Sequence, residues 1–517
     1  MLEAMVHEQL RAFLRHHGNT DWPHHLTMAR LAARALRLGR SSLMQTGTSA
    51  FYQGHYRLSY LMSLLMWPEP AILILPETLQ QTVLLGDIPR LQEWMPSQKP
   101  VHWGEEWPGE TFQGLFLTRP EAWLRDRLNQ QNRFPAGIPV FIDGADSLEQ
   151  WIRDCLTVTL DADAWQSLMQ AYPQHQALVR DTRVRLTHSI FQHPPNPYQC
   201  HLVEDTERQA LLAIRQVLLD GDVDQASMPT PWKQFWAQVN LPESLQWVRL
   251  NRATGQWTLN CAPIDVAPFI EACWQQQPLV LMGGALDTTT EAIHYRQRLG
   301  LGDMTCLKFN PDRQTEEIQL YLPDRIPFPN TAEFQPVLLD ELAYLVVAGT
   351  SRVGLTVVLV DDTPLKQQVA TVLASQFGSR VQVETTDLTE NAVLVTGWQF
   401  WQEYQTQLPM PTLLVMATLP LPSLEDPLVA GRVAYYKRSR QDWFRLYLLP
   451  TALTALQRAI APVRANQGTV AILDNRVNHR SYGRQILEVL DPAVRFHQRQ
   501  HLWIADPSSL SQNRQRF

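Results

Sequence analysis

Residues 38–65 constrain this chain most, because they predict a buried strand followed by a tight turn and a helix. A turn of this kind binds phosphates when backbone amides and a lysine ammonium surround it, and its usual signature is G-x-x-x-x-G-K-[ST]. The turn here carries Gly47 and the hydroxyls of Thr46, Thr48 and Ser49, but it has no lysine. These four residues form the candidate phosphate-binding site, and a purely structural turn is the alternative.

Length and composition set the scale of the fold. With 517 residues, 45% of them hydrophobic and 18% charged, the chain is long enough for about three domains of roughly 150 residues each. No apolar run reaches the ~18 residues of a membrane helix, and the amphipathic start of the chain lacks the apolar centre of a signal peptide. The sequence therefore predicts a cytoplasmic protein with no membrane partner.

The cysteine pattern argues against a metal centre built on thiolates. None of the five cysteines lies within four residues of another, so the chain has no C-x-x-C pair. We expect neither a zinc ribbon nor a compact iron–sulfur ligand cluster, and we interpret the cysteines as reduced core thiols. They are Cys155, Cys200, Cys261, Cys273 and Cys306.

Charge is distributed unevenly along the chain. The net charge is −7, yet residues 431–517 contain 14 Lys and Arg against 5 Asp and Glu, which leaves −16 for the remainder. A basic segment in an acidic protein can mark a surface that faces a polyanion. A solvated, arginine-rich face of a domain is the alternative.

Short apolar runs alternate with helical patterns in two parts of the chain. The runs at 70–76 and 137–143 are typical of buried parallel strands, and the same alternation returns between 338 and 473. This order predicts an α/β protein with two parallel sheets covered by helices. Residues 150–260 break the alternation and predict a mostly helical insertion.

Asp143 ends one of the predicted strands. Ligands of open parallel sheets bind at the carboxyl ends of the strands, where both Asp143 and the turn at 46–49 fall. Asp143 is therefore a candidate Mg²⁺ ligand, and an acid that caps a helix or accepts structural hydrogen bonds is the alternative.

The order of several segments carries a resemblance to a known family. The chain is similar to the DinG/XPD-type helicases of superfamily 2, and to DinG-like members in particular. The segments at strand and motif positions of that family are ILILPETLQQTVLLGDIPRL at 72–91, VFIDGADSL at 140–148, LVLMGGAL at 279–286, ATLPLPSLEDPL at 417–428 and TVAILDNRVNHRSY at 469–482.

The resemblance implies two RecA-like motor domains, with a mostly helical, arch-like insertion in the first. We expect motor domain 1 at 1–149, the insertion at 150–260 with a hairpin inside 245–260, the return to motor domain 1 with a linker at 261–325, and motor domain 2 at 326–517. The resemblance implies ATP with Mg²⁺ as cofactors. It also implies nucleic acid, most of all single-stranded DNA, as the partner.

Departures from the family concern the groups that perform ATP hydrolysis. The phosphate-loop lysine is missing, Gly144 stands in place of the catalytic Glu, and Asp146 stands in place of the following His. In the last motor motif Gln457 and Arg464 match, but the Gly-Arg pair between them is absent. The four cysteines that hold an iron–sulfur cluster in many relatives are also absent. Asp143 and Arg464 remain as candidate catalytic residues.

Three functions follow from this combination. The first is a helicase-fold protein that binds nucleic acid or a partner protein, with ATP bound weakly or not at all and little or no hydrolysis, because lysine, Glu and arginine-finger groups each stabilise the reaction. The second is an active ATP-dependent DNA helicase in which Arg40 or Arg57 reaches the phosphates. The third is a protein-interaction scaffold.

Tryptophans are further candidates for contact with nucleic acid. Exposed tryptophans can stack on the bases of a single strand, whereas packing in a core is their commoner use. The candidates are Trp94, Trp103, Trp107, Trp232, Trp236, Trp257, Trp398 and Trp401.

Overall fold

The structure is a computed structural model, and it describes residues 2–18, 22–95, 98–220, 227–241, 243–311, 316–349 and 354–499. The last part of the predicted basic segment and of motor domain 2, residues 500–517, lies outside the described residues.

The first part of the chain alternates helices and short strands, as the apolar runs predict. Each strand is a run of four or fewer residues, and most of the strands are buried along their length, which suits the interior of a parallel sheet. The elements are α1 (Leu2–His17), α2 (His25–Leu38), β1 (Ser42–Gln45), α3 (Thr48–Gln53), α4 (Arg57–Met66), β2 (Ala71–Ile74), α5 (Glu77–Thr82), the π-helical turn Val83–Asp87, α6 (Ile88–Trp94), β3 (Val101–Trp103), β4 (Leu115–Thr118), α7 (Pro120–Asn129), β5 (Val140–Asp143) and α8 (Leu148–Leu156).

The inserted region contains a sheet as well as helices. Its elements are β6 (Val158–Leu160), α9 (Ala162–Ala171), α10 (Gln176–Gln192), β7 (Cys200–Leu202), α11 (Asp205–Asp220), α12 (Thr230–Val239), β8 (Ser244–Asn251) and β9 (Gln256–Pro263). The predicted hairpin is present as the antiparallel pair β8–β9, and it lies inside a four-stranded sheet of order β6-β9-β8-β7. The two edge strands have three residues each, too few to give a periodic signal in the sequence.

The chain then returns to the first sheet. Its elements there are α13 (Ala267–Trp274), β10 (Leu279–Gly283), α14 (Ile293–Arg298) and β11 (Thr305–Lys308). The sheet has the order β11-β1-β10-β5-β2-β4-β3, and all its pairs are parallel. Because β1, β10 and β5 are neighbours, their carboxyl ends bring Gln45, Gly283 and Asp143 to one edge of the sheet.

The second domain repeats the same architecture, so the predicted pair of RecA-like parallel-sheet domains is confirmed. Its elements are β12 (Ile318–Tyr321), α15 (Phe334–Gly349), β13 (Leu355–Leu359), α16 (Thr363–Phe377), β14 (Val381–Val383), β15 (Val393–Thr396), α17 (Trp398–Tyr404), β16 (Pro411–Met416), α18 (Pro427–Arg438), α19 (Leu449–Ala459), α20 (Ala461–Ala465), β17 (Thr469–Ile472), α21 (Arg476–His479), α22 (Gly483–Val489) and β18 (Ala493–Phe496). The sheet has the order β14-β15-β13-β16-β17-β12-β18. The predicted domain boundaries stay predictions, and the one at 325/326 falls in the loop after β12.

Local sequence signals start the helices of the second domain. Asp362 accepts a hydrogen bond from the Leu365 amide at 2.7 Å, and Asp426 accepts one from the Leu428 amide at 2.8 Å. In both helices a proline occupies the first or second position after the cap. The N–H that proline lacks would have no partner within the helix there, so its loss costs nothing.

The inserted region packs directly on the second domain. β7 and β8 contact α18, where a Cβ on Gly431 would lie 2.5 Å from a methyl of Leu245. Leu428 adds to a small apolar cluster with Trp247 and Ala262 of the insertion. This contact requires glycine at position 431, since any side chain there would displace the leucine. In the described part of the chain no helix combines the length and apolar character needed to span a membrane.

A buried lysine holds the end of α4. The Lys99 ammonium is 8% exposed and donates to the carbonyl oxygens of Leu64, Trp67 and Glu69 at 3.1, 2.9 and 2.6 Å. These carbonyls belong to the last turn of α4 and to the residues after it, which have no intrahelical donors. Burial lowers the pKa of Lys99 to about 8, an effect that Glu69 opposes.

We expect Lys99→Met to lower the free energy of unfolding by about 2–3 kcal/mol, because it leaves buried carbonyl groups without donors. Chemical denaturation followed by circular dichroism measures the change. Arg34→Met, which removes an exposed cation from α2 of the same domain, is the matched control and should stay within about 0.5 kcal/mol of the parent. Equal effects of the two substitutions would contradict the capping role.

Candidate functional site

The candidate phosphate loop has the shape of a nucleotide-binding turn but is closed by its own hydrogen bonds. Gly47 adopts φ +86°, and Thr48 and Ser49 open α3, so Thr48 stands where the signature has its lysine. The Thr46 hydroxyl donates to the Gly283 carbonyl at 3.3 Å, and the Thr46 amide donates to the same carbonyl at 2.9 Å. Ser49 is 2% exposed. Two of the three candidate hydroxyls are therefore buried against the protein.

Asp143 lies at the end of β5 with no exposed surface, and its charge is balanced within the first domain. One carboxylate oxygen accepts a short hydrogen bond from the Tyr56 hydroxyl, and the other accepts one from the Tyr60 hydroxyl at 2.7 Å. The Arg57 Nε atom lies 3.8 Å from the second oxygen. Burial raises the pKa of Asp143, an effect that Arg57 and the two phenol donors oppose.

These contacts decide whether Asp143 fits a magnesium ion. A Mg²⁺ site needs an octahedron of oxygen ligands and retains water around the metal. Here both oxygens of the carboxylate are occupied by donors from α4 and the residue before it, inside a solvent-free core. Burial and the neighbouring carboxylate also raise the pKa values of Tyr56 and Tyr60, which keeps them protonated as donors. The residues at this position do not fit a metal–triphosphate complex.

Neither arginine proposed as a substitute cation reaches the loop. Arg57 is 8% exposed and packs on Gly54, where a Cβ would lie 2.5 Å from its guanidinium carbon. Arg40 precedes β1 and is exposed at the end of the strand opposite to the loop. Arg57 therefore serves as the internal counter-ion of Asp143.

Gly144 and Asp146, which differ from the family motif, both have structural roles at the end of β5. Gly144 adopts φ +88°, and a Cβ there would lie 3.2 Å from the Trp151 ring, so a glutamate at this position would be strained. Asp146 accepts hydrogen bonds from the amides of Gly284 and Ala285, each at 2.8 Å. It thus ties the end of β5 to the loop after β10.

Arg464 has a structural environment in the second domain. It is 2% exposed and donates to the carbonyl oxygens of Glu316, Leu490 and Pro492 at 2.8, 2.7 and 3.2 Å. Burial lowers its pKa to about 10, and Glu316 and Asp491 oppose the shift. Its guanidinium is directed into backbone rather than toward a ligand.

The helix that carries Arg464 covers the phosphate loop. α20 packs against α3, and Ala461, one of the residues that replace the family's Gly-Arg pair, is 4% exposed. Nearby, the Tyr52 hydroxyl donates to the Gln405 carbonyl at 3.3 Å, also across the two domains. Protein atoms of the second domain therefore contact the helix that would otherwise point its first turn at a nucleotide.

A cleft of about 500 Å³ remains beside the loop. Two cations line it, Arg464 and Lys308, and the Lys308 ammonium donates to the carbonyl oxygens of Asp287 and Thr288 at 3.2 and 2.7 Å. Burial lowers the pKa of Lys308, with Asp287 opposing. The acidic residues along the same cleft are Glu316, Glu488 and Asp491. Glu488 and Asp491 pair with Arg484 and Arg495 at 2.7 and 2.8 Å, so the acids of this cleft, like its two cations, are engaged by the protein.

A second cleft, of about 470 Å³, lies between α8 and α14 of the first domain and α18 and α19 of the second. It is rich in arginine and tyrosine, and the sequence reasoning missed it as a site. The basic segment at 431–517 was the indication of this cleft in the sequence, because it contributes Arg432 and Arg458 to the lining. Their partners in the first domain, such as Arg298, are brought in only by the tertiary fold.

Most of the candidate tryptophans belong to cores. Trp232, Trp236, Trp398 and Trp401 are at most 5% exposed, and of the eight candidates Trp103 has the largest exposure, 44%. Trp94, Trp107 and Trp257 are partly buried and pack against core clusters, so core packing accounts for seven of the eight.

Comparison with known proteins places these features in a family. A profile for the helicase C-terminal domain matches residues 363–493. The chain is 22% identical over 294 residues to the ATP-dependent DNA helicase YoaA of Escherichia coli strain K12, covering 54% of this chain and 46% of YoaA. YoaA of Haemophilus influenzae is 22% identical over 258 residues, covering 46% of this chain and 40% of that protein. The chain thus spans less than half of the length of the curated relatives it matches.

Solved structures extend the likeness of fold to nearly the whole chain. A structure described as XPD helicase superposes with a TM-score of 0.59 at 11% identity, covering 92% of this chain and 99% of the other. Xpd4 of S. tokodaii gives a TM-score of 0.58 at 14% identity, covering 92% of this chain and all of the other. The chain thus matches the helicase C-terminal domain at 363–493, is similar in sequence to YoaA, and shares with the XPD structures the fold of two RecA-like domains.

Proposed function

We propose that this protein is a helicase-fold nucleic-acid-binding protein, with single-stranded DNA as its ligand, that does not turn over ATP productively. One observation carries the proposal: the position of the phosphate-loop lysine is Thr48, and the cations of the adjacent cleft, Lys308 and Arg464, are bonded to backbone carbonyls. A triphosphate in this cleft would meet cations whose hydrogen bonds already go to the protein backbone.

Phosphoryl transfer depends almost entirely on positioning and electrostatic stabilisation. Without a lysine on the phosphates, a carboxylate open to Mg²⁺ and an acid to orient water, the protein offers little stabilisation to the transition state. Loss of an arginine finger alone is worth ~10³–10⁵ in rate where it has been tested. The arrangement around Asp143 supports a structural role for this carboxylate.

The geometry does not support the alternative of an active helicase in which Arg40 or Arg57 reaches the phosphates. Arg57 is bound in the core beside Asp143, and Arg40 lies at the far end of β1. The scaffold rival has no specific observation in its favour, and the binding measurement below tests it.

We expect no phosphate release above background when ATP, Mg²⁺ and single-stranded DNA are supplied together, measured with a coupled phosphate assay. Asp143→Asn should leave that baseline unchanged, because the carboxylate already serves Tyr56, Tyr60 and Arg57. Robust DNA-stimulated turnover that Asp143→Asn abolishes would overturn the proposal.

The same substitution should instead reduce stability. Asp143→Asn removes the buried charge that compensates Arg57 and places an amide N–H₂ against a phenol donor. Breaking one partner of a buried ion pair typically costs about 3–5 kcal/mol, and we expect a loss in the lower part of that range because the pair distance is long. Thermal melting measures it, with Asp161→Asn, at a solvated helix cap of the insertion, as the control of equal chemistry. A melting temperature equal to that of the control would contradict the role of Asp143.

We expect single-stranded DNA to bind with an affinity that falls as salt rises, because each phosphate contact releases counter-ions with a slope of about −0.7 per contact in a log–log plot. Fluorescence anisotropy of a labelled oligothymidylate across a salt series gives this slope. Absence of binding at low salt would reject the proposed ligand and favour the scaffold.

A further inference from the structure

We propose that the second cleft is a binding site for a nucleoside-phosphate unit, separate from the cleft at the phosphate loop. The inference deepens the proposed nucleic-acid binding and rests on it for the class of ligand. The cleft lies between α8 and α14 on one side and α18 and α19 on the other, and its volume of about 470 Å³ is in the range of small-molecule sites.

Two of its three carboxylates, Glu149 and Asp146, are paired with arginines of the protein. Glu149 pairs with Arg153 at 3.0 Å and with Arg298 at 3.2 Å. Burial raises the pKa of Glu149, but Arg298, Arg153 and the more distant Arg432 outweigh that effect and the net direction is downward. Asp146 accepts two backbone amides, and Arg458 Nε lies 4.0 Å from it. The third acid of the cleft, Asp265, accepts a hydrogen bond from the Ala267 amide at 3.0 Å, so the three acids face the four arginines Arg153, Arg298, Arg432 and Arg458.

Arg432 is the cation without such a partner. Among the described residues no carboxylate oxygen lies within 4.0 Å of its guanidinium, whose hydrogen bond is to the Tyr447 hydroxyl at 3.4 Å. Arg432 is half-buried in the wall of the cleft, where the dielectric is lower than in water and a bidentate bond to a phosphate is strong. Arg458, on α19 of the same side of the cleft, is held only at 4.0 Å by Asp146 and can contribute its outer nitrogens.

Aromatic rings form another wall of the same cleft. The rings of Tyr436 and Tyr447 are stacked, with 6.1 Å between centroids and 21° between planes. The Arg432 guanidinium carbon lies 5.6 Å from the Tyr447 centroid, which fixes the cation beside the ring. A phosphate on Arg432 would thus carry its sugar and base along a tyrosine surface, the combination that single-strand sites use.

A second cavity continues from this cleft toward the insertion. It has a volume of about 340 Å³ and shares Gln150, Arg153 and Arg432 with the first. Arg249 and Trp247, both from β8, line its far part. The continuity lets the ligand be either a free mononucleotide or one unit of a strand that runs on toward the insertion.

The test measures thymidine 5′-monophosphate by calorimetry and a labelled oligothymidylate by anisotropy, on the full chain. We expect Arg432→Ala and Arg458→Ala each to weaken at least one of these ligands about fivefold or more, and to lower the salt slope for the strand. Arg438→Ala, at the exposed end of α18 and outside the cleft, is the matched control and should bind like the parent. Melting curves verify the fold, and Arg432→Gln replaces the alanine variant if that variant does not fold.

The outcomes separate the site from the function. Weakening for the mononucleotide identifies free nucleotide as the source, and weakening for the strand alone identifies single-stranded nucleic acid. If the strand binds but both variants match Arg438→Ala, the site is overturned while the proposed function stands. If the mononucleotide binds through Arg432 and no strand binds, the site stands and the proposed function fails. Absence of both ligands overturns both.

Discussion

The buried charge of Asp143 is the constraint on which the first domain depends. A carboxylate with no exposed surface is stable only when ion pairing and hydrogen bonds replace its lost hydration. Arg57, Tyr56 and Tyr60 supply that replacement, and all three lie at the start of α4 or one residue before it. The carboxylate at the end of β5 thereby fixes α4, the second helix after the phosphate loop. An interaction that serves a metal in an ATPase would have the opposite requirement, an open coordination sphere.

The two domains are in direct contact with each other. The domains are joined by direct protein contacts: α20 on α3, Tyr52 on Gln405, and the insertion on α18 around Gly431. An active motor needs its domains to separate and close as nucleotide binds and leaves. Here apolar packing that is independent of any ligand favours one arrangement, because opening would expose the buried residues of α20 and the Leu245 contact.

The sequence was sufficient for the architecture and for the position of the first site. Buried parallel strands give apolar runs whose order is visible without any contact information, and the carboxyl ends of β1 and β5 follow from that order. The partners of Asp143 were a weaker signal. Tyr56 and Tyr60 are spaced i, i+4 in an otherwise apolar helix, which places them on one face, but nothing in that spacing says which carboxylate they meet. Arg464 matches the family motif, but the motif does not reveal what its guanidinium binds. Its partners are three backbone carbonyls that are distant in sequence.

Asp146 joins three parts of the structure at the end of β5. Its bonds to the amides of Gly284 and Ala285 join β5 to β10, and its proximity to Arg458 extends the link to the second domain. The second cleft lies directly against this link, so bonds within the protein hold its walls. A ligand that enters it meets a preformed site and spends little of its binding free energy on ordering protein groups.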